Sequence, residues 1–326
     1  MRWFARRLGL YAVAAWASLT LAFALPRLLP GDPAAALFAR LHGKADPTAI
    51  AALRDALGLS DAPMFRQYLS WLGDLARGDL GTSVAWFPAP VSEVIGGGLL
   101  WTAGLTGVAV LISFVLGTGL GAYAAWRRGG LLDTVLPPLL VLLGAFPYFW
   151  LAMAMLYAFG VWLGWFPLRH AYDDALAPGL TWEFARSVIA HGALPAATLV
   201  VATLGGWLLG MRNTMLGVLG EEHVLLARAR GLSRGRVLLH YAVRNAILPN
   251  LTGFGMALGF VVSGALLTEV VFSYPGEGYL LVQAVHAKDY PLLQGLFVSI
   301  TLSVLAANVL VDVVTLWVDP RTRTTA

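Results

Sequence analysis

Six stretches of the chain run for about 18 residues or more with no charged side chain. The first extends from Leu8 to Leu25, entered from Arg2, Arg6 and Arg7. The second lies between Glu93 and Arg127 and frames a span near Leu99 to Trp126. The third lies between Asp133 and Arg169 and frames a span near Val135 to Leu163. Gaps from Arg186 to Arg212, Arg244 to Glu269 and Asp289 to Asp312 frame the other three. Crossing a hydrocarbon core of roughly 30 Å takes about 20 apolar residues in helical form. The pattern therefore predicts an all-α polytopic membrane protein with about six transmembrane helices.

Basic residues ahead of an apolar run also describe a secretory signal, and Ala22-Phe23-Ala24 has the small-x-small form of a cleavage site. The run of about 18 residues exceeds the usual h-region of roughly 7–15, so it is read as a retained helix. Arginine is distributed asymmetrically about the spans. Arg2, Arg6 and Arg7 precede span one, and Arg127 and Arg128 follow span two. Arg212, Arg228, Arg230, Arg234, Arg236 and Arg244 crowd the loop after span four, and Arg321 and Arg323 follow span six. The opposite short loops hold only Arg169, Arg186 and Lys288, which predicts that both termini are cytoplasmic. Residues 1–98 then form the first transmembrane helix with an extracytoplasmic helical segment. Residues 99–326 form a core domain of five helices with an Arg-rich cytoplasmic loop at about 212–249. Within the outer segment, Pro47 to Leu57 and Pro63 to Leu75 carry helical spacing. Trp71, Trp86 and Phe87 are expected to anchor it, and Gly78-Asp79-Leu80-Gly81-Thr82-Ser83 punctuates it with turns.

Composition narrows the function classes. Hydrophobic residues make up 58% of the 326 positions and charged ones 12%, against roughly a quarter charged in a soluble domain. The net charge of +4 comes from arginine, since Lys44 and Lys288 are the only lysines. No basic stripe interleaved with aromatics points to nucleic acid. The absence of cysteine excludes disulfides, thiolate metal sites and cysteine nucleophiles. Gly117/Gly121, Gly160/Gly164, Gly206/Gly210 and Gly255/Gly259 are spaced for close helix packing in lipid. Pro137, Pro138 and Pro147 are expected to bend span three.

The run from Glu221 to Pro249 is the most informative. It reads as two short helices around Gly231, which takes a positive φ to end the first, with Ser233 the N-cap of the second. In that second helix Val237, Leu238, Tyr241, Ala242 and Ile247 share a face, and Arg234, Arg236, His240 and Arg244 lie elsewhere. Read from its residues alone, the loop is equally an amphipathic helix at the headgroups or a docking element.

This run resembles the cytoplasmic coupling loop of binding-protein-dependent ABC importer permeases, most closely the dipeptide/oligopeptide/nickel class. The likeness rests on Ala227, Arg228, Ala229, Arg230, Gly231, Leu232 and Ser233, and then on Val237, Leu238, Ala242, Arg244, Asn245, Ala246, Leu248 and Pro249. His240-Tyr241 departs from it, since the class more often has a basic residue followed by His; Leu225 stands where the broader importer motif has Glu. Leu57-Gly58-Leu59, Gln67-Tyr68 and Gly78 to Ser83 resemble the outer region of the first permease subunit. Glu269 to Gly276 and Asp289 to Gly295 are similar to its connection between spans five and six, and Asn308, Asp312 and Asp319-Pro320-Arg321 also fit. Glu277 stands where the class has Leu and is expected to alter the outer surface of that connection.

The resemblance implies a type I ABC importer permease fold in the cell (inner) membrane. It implies a second permease subunit in a pseudo-symmetric heterodimer, two cytoplasmic ATPase subunits and an extracytoplasmic solute-binding protein. It assigns ATPase coupling to Glu222, Ala227, Arg228, Ala229, Arg230, Gly231, Leu232, Ser233 and Arg234. The implied cargo is a di- or oligopeptide, with nickel chelates or another small solute the alternative. No GxxxxGK[ST] phosphate loop occurs here, so the chain binds no cofactor of its own and ATP is used by the partner ATPases.

Other polar groups weigh less. Asp312, with Asn308 one turn earlier, and Glu269 are read as hydrogen-bonding or loop-fixing groups ahead of substrate contacts. His191 and His286 read as interfacial. Glu221-Glu222-His223 lacks a second histidine one turn away, because Leu219 and Ala227 hold those positions, so no metal is expected. Ser263-Gly264 has no Gly two residues earlier, and no base is identifiable near it, so no catalytic residue is assigned. A secondary transporter is the remaining alternative, but neither internal repeats nor mid-span ionisable groups support it.

Overall fold

The computed structural model describes residues 2–28, 62–259, 261 and 266–318. The expected helix at Pro47 to Leu57, the Leu57-Gly58-Leu59 run, Ser263-Gly264, Asp319-Pro320-Arg321 and Arg323 lie outside the described residues. Among the described residues the regular structure is helical: α1 (Arg2–Leu28), α2 (Met64–Ala76), α3 (Val91–Trp126), α4 (Leu131–Gly144) and α5 (Tyr148–Met155). There follow α6 (Trp182–Val218), α7 (Glu222–Ala229), α8 (Arg234–Arg236), α9 (Arg244–Ala246), α10 (Leu248–Gly259), α11 (Leu266–Val271), α12 (Glu277–Ala287) and α13 (Tyr290–Val318). Four helices hold windows long and apolar enough to cross a membrane: Gly9–Leu28, Val91–Trp126, Trp182–Val218 and Tyr290–Val309. The stretch read as span five holds α10 and α11, and residues 260 and 262–265 between them lie outside the described residues.

Span three is not one straight helix. α4 and α5, with the π-helical continuation Leu156–Trp162, meet at 104°. The break sits at Pro147, whose ψ of 140° is extended, while Pro137 and Pro138 stand inside α4 without ending it. A proline drives the residue before it out of helical geometry, so the chain turns after Gly144 and restarts at Tyr148.

The chain divides into two compact units, one of them residues 1–102, 275–306 and 321–326. In this first unit Val91, Ile95, Leu280, Leu292, Leu293 and Leu296 form a core. α2 packs on α1: Tyr68 meets the Phe23 ring edge-on at 5.2 Å, and Trp71 lies 5.6 Å from it. Trp86 and Phe87, expected as anchors, are 38% and 51% exposed. The turn at Gly78 to Ser83 has positive φ at Gly78 and Gly81, and Asp79 accepts from the Gly81 N–H at 2.8 Å. Asp289, fully buried, ties this turn to the foot of α13. Its carboxylate accepts from the Ser83 hydroxyl, from the Ala85 N–H at 2.8 Å and from the Leu292 N–H at 3.0 Å. Two runs read separately in the sequence are thus one piece of structure. Glu277 does not alter an outer surface, because it is 1% exposed. As the first residue of α12 it is drawn inside, its N–H donating to Thr102 Oγ1 at 2.8 Å and its carboxylate accepting from Ser299 Oγ at 2.6 Å.

The second unit comprises residues 103–274 and 307–320. Of the four glycine pairs, Gly117/Gly121 makes a close helix contact at both members. A methyl built on Gly117 would lie 2.6 Å from Trp207 Cβ and 2.9 Å from the Leu204 carbonyl oxygen. One on Gly121 would strike the Leu208 carbonyl, so α3 and α6 touch backbone to backbone. Gly205, and not Gly206, does the same for α4, with Leu140 O 3.1 Å from the methyl position. Ser113 and Thr203 share a hydrogen bond of 2.8 Å across α3 and α6, and Phe114 stacks on Phe254 at 4.4 Å. At 37 residues, α6 is about 55 Å long and overshoots the hydrocarbon by roughly 25 Å.

Candidate functional site

The Arg-rich loop is built on the ends of α3 and α6. Met211, Met215 and Val218 of α6 and Ala122 and Ala125 of α3 present an apolar floor. α7 has apolar residues at Val224 and Ala227, one turn apart, and both are buried on that floor. Glu222, Leu225, Leu226, Arg228 and Ala229 are left exposed on its other side.

α7 ends in a Schellman motif. The Gly231 N–H donates to the Arg228 carbonyl at 2.9 Å and the Leu232 N–H to the Ala227 carbonyl at 3.3 Å. This closure needs a left-handed residue, and Gly231 sits at φ 74° with nothing within 4 Å of where a Cβ would be. Leu232 is half-buried on the same floor, so the turn is pinned on both sides. Ser233 has the extended backbone of an N-cap, but its side chain makes no capping hydrogen bond.

α8 runs through a π-helical stretch, Val237–Val243, into α9. Val237, Ala242 and Ala246 are buried on the floor, with Leu238, Tyr241 and Ile247 partly buried around them. Arg234, Arg236, His240 and Arg244 are exposed, as expected. His223 joins the two arms. Its Nδ1 lies 3.2 Å from the Glu221 carboxylate, and its Nε2 lies 2.9 Å from Asn245 Nδ2, which also donates to the Tyr241 carbonyl at 3.2 Å. The same Nε2 also lies 3.2 Å from the Tyr241 carbonyl oxygen, so the imidazole touches both arms of the loop. The Glu-Glu-His run is therefore a strut.

The residues assigned to coupling form a turn facing solvent. Glu222, Arg228, Ala229, Arg230, Gly231, Ser233 and Arg234 are exposed, Leu232 is half-buried, and Ala227 lies in the floor beneath them. Arg228 is stacked over Trp126, its guanidinium carbon 5.3 Å from the ring centroid, which fixes where that charge stands. Arg212 does not belong to the exposed charge. It is ion-paired with Asp133 of α4, whose side chain is 7% exposed and also accepts from the Gly129 N–H at 2.9 Å.

Residues 117–324, nearly two-thirds of the chain, match the family of inner membrane components of binding-protein-dependent transport systems. The chain belongs to that family. Two relatives agree over almost their whole length. The di/tripeptide transport system permease protein DppB of Pseudomonas aeruginosa is 34% identical over 98% of each chain. The dipeptide transport system permease protein DppB of Alkalihalophilus pseudofirmus is 33% identical over 92% of each. The protein is accordingly a multi-pass inner-membrane permease component.

One residue of the permease that sequence reasoning missed is Asn250, directly after Pro249. It is 6% exposed and donates to Thr118 Oγ1 at 3.0 Å and to the Trp207 carbonyl at 2.9 Å. Gly210 makes room for it, since a methyl there would lie 2.7 Å from Asn250 Oδ1. Asn250 thus fastens the chain leaving the loop to both α3 and α6. An asparagine opening an apolar span is the signal that could have found it.

Proposed function

We propose that this permease is the first transmembrane subunit of an ATP-driven importer of di- or oligopeptides, and that the turn around Gly231 is its docking point for a cytoplasmic ATPase. The observation that carries the proposal is a loop packed on its inner side and exposed on its outer one. Its Val224, Ala227, Val237, Ala242 and Ala246 are held on the ends of two long helices, and Arg228, Arg230, Arg234 and Arg236 stand outward. A loop needed only to join two spans gains nothing from a Schellman closure, a histidine strut and a π-helical arm. A loop that transmits force needs all of its internal freedom removed.

Alternating access follows from that rigidity. Closure of two ATPases on ATP would draw this loop and that of a second permease together. Because the loop is fused to α3, α6 and α10 through the floor and Asn250, the displacement passes to the spans without being absorbed. ATP is hydrolysed by the partners, and an extracytoplasmic solute-binding protein delivers the cargo. Peptides are favoured because the relatives above are named for di- and tripeptide transport. This assignment places both termini in the cytoplasm and counts six spans. Residues 1–98 serve the outer face, and residues 99–326 form the core permease domain.

Co-purification of the tagged chain from native membranes in mild detergent tests the proposal. A second permease and one or two ATPase subunits should accompany it. A chain that stays alone, and transports alone when reconstituted, would overturn it in favour of a secondary transporter.

A further inference from the structure

α2 is fastened to α1 at a depth that the contacts define. Thr20 Oγ1 lies 2.9 Å from Tyr68 Oη, the Phe23 ring meets Tyr68 and Trp71, and Arg27 donates to Gln67 Oε1 at 3.3 Å. Thr20, Phe23 and Arg27 belong to the last turns of the window Gly9–Leu28, which is long and apolar enough to span. Thr20 stands eight residues before Leu28, or about 12 Å along the helix. The docking face of α2 is therefore held beside the final 12 Å or so of a transmembrane helix, at the level of the headgroup–acyl boundary.

Around α2 the side chains fall into three sectors. Gln67, Tyr68 and Trp71 face α1. Arg66 and Ser70, one turn apart, are exposed and polar. Between these sectors lies an apolar stripe: Phe65 is 69% exposed and Leu69 51%. No residue of α2 is buried. On α1, at the same depth, Leu21, Leu25 and Leu28 form another exposed apolar stripe, 57%, 44% and 78% exposed. Both helices therefore leave apolar side chains uncovered at that depth.

We propose that α2 is an interfacial helix, lying along the bilayer with Phe65 and Leu69 inserted at the headgroup–acyl boundary, so that its partner is phospholipid and not protein. The helix then clamps the end of α1 at a fixed depth. This goes beyond the transport reading and does not depend on which solute is carried.

The chain has no cysteine, so one introduced residue gives one label. Phe65→Cys, Arg66→Cys, Leu69→Cys and Ser70→Cys would each be spin-labelled in the full chain, reconstituted in phospholipid vesicles with its co-purifying subunits retained. Collision with oxygen, which concentrates in lipid, is compared with collision with a water-soluble nickel chelate. The expected ratio of oxygen to nickel accessibility is several-fold higher at 65 and 69 than at 66 and 70. A nickel-dominated signal at 65 and 69 would show a face open to water and overturn the proposal. Low accessibility to both reagents there would show a protein cover, such as the second permease, and would overturn it equally.

Discussion

Gly231 separates a loop that merely closes the end of the bundle from one that enters a partner. At φ 74° any L-residue is strained, by roughly 1–2 kcal/mol, and part of this is offset by the lower entropy of the unfolded chain. Gly231→Ala should therefore cost about 1 kcal/mol, mostly as local fraying of the Gly231 and Leu232 hydrogen bonds. Gly231→Trp carries the same backbone cost. No described residue lies within 4 Å of the Cβ position, so either side chain leaves the backbone into open space. The two variants should melt within about 0.5 kcal/mol of each other, as surface substitutions do. In proteoliposomes holding the co-purified complex, the alanine variant should keep most of its ATP-dependent uptake. The tryptophan variant should lose on the order of tenfold or more, because the added bulk sits where the ATPase must seat. Equal uptake by the two, at equal stability, would refute the docking argument and leave Gly231 a purely local helix stop.

Other substitutions test the parts that hold the loop and the outer turn. Gly121→Leu should prevent α3 and α6 from meeting at the Leu208 carbonyl, costing about 3 kcal/mol or more and lowering the yield of folded protein in detergent gel filtration. His223→Ala and Asn245→Ala should each weaken coupling of ATP hydrolysis to uptake, and the double variant should be no worse than the worse single one, with about 1 kcal/mol of interaction in thermal melts. Asp289→Ala leaves the Ser83, Ala85 and Leu292 donors buried without their acceptor and should cost about 3 kcal/mol, against about 1 kcal/mol for Ser83→Ala. Asn250→Leu should expose the same logic inside the membrane, releasing Thr118 and the Trp207 carbonyl and loosening α10, seen as faster proteolysis after Arg244.

What could be read from the sequence is what local spacing determines. Val237 and Ala242, five residues apart, are both buried because the stretch between them is π-helical, a local winding that 3.6-residue spacing does not announce. Gly231 was legible because a left-handed C-terminal residue follows from the chemistry of one turn. Pro147 announced a bend, but not that the two halves of span three would meet at 104°, since that angle depends on what each half packs against. Gly205 and Gly206 are neighbours in sequence, and only rotation of α6 against α4 decides which of them makes the close approach. Asp133 with Arg212, Asn250 with Thr118 and Asp289 with Ser83 are separated by 79, 132 and 206 residues, so no window along the chain contains both partners. For the same reason Arg212 reads from the sequence as part of a basic loop and in the structure as one half of an ion pair.

The central claim is that the exposed face of α7 and its Gly231 turn meets an ATPase. Photo-crosslinking residues placed singly at Leu226, Arg230 and, as the control, Leu180 test it in native membranes. Leu226 and Leu180 are 58% and 110% exposed, and Leu180 lies at the opposite end of α6. Adducts of ATPase mass are expected from Leu226 and Arg230 and none from Leu180. Adducts from neither loop position, in membranes where the complex still transports, would contradict it.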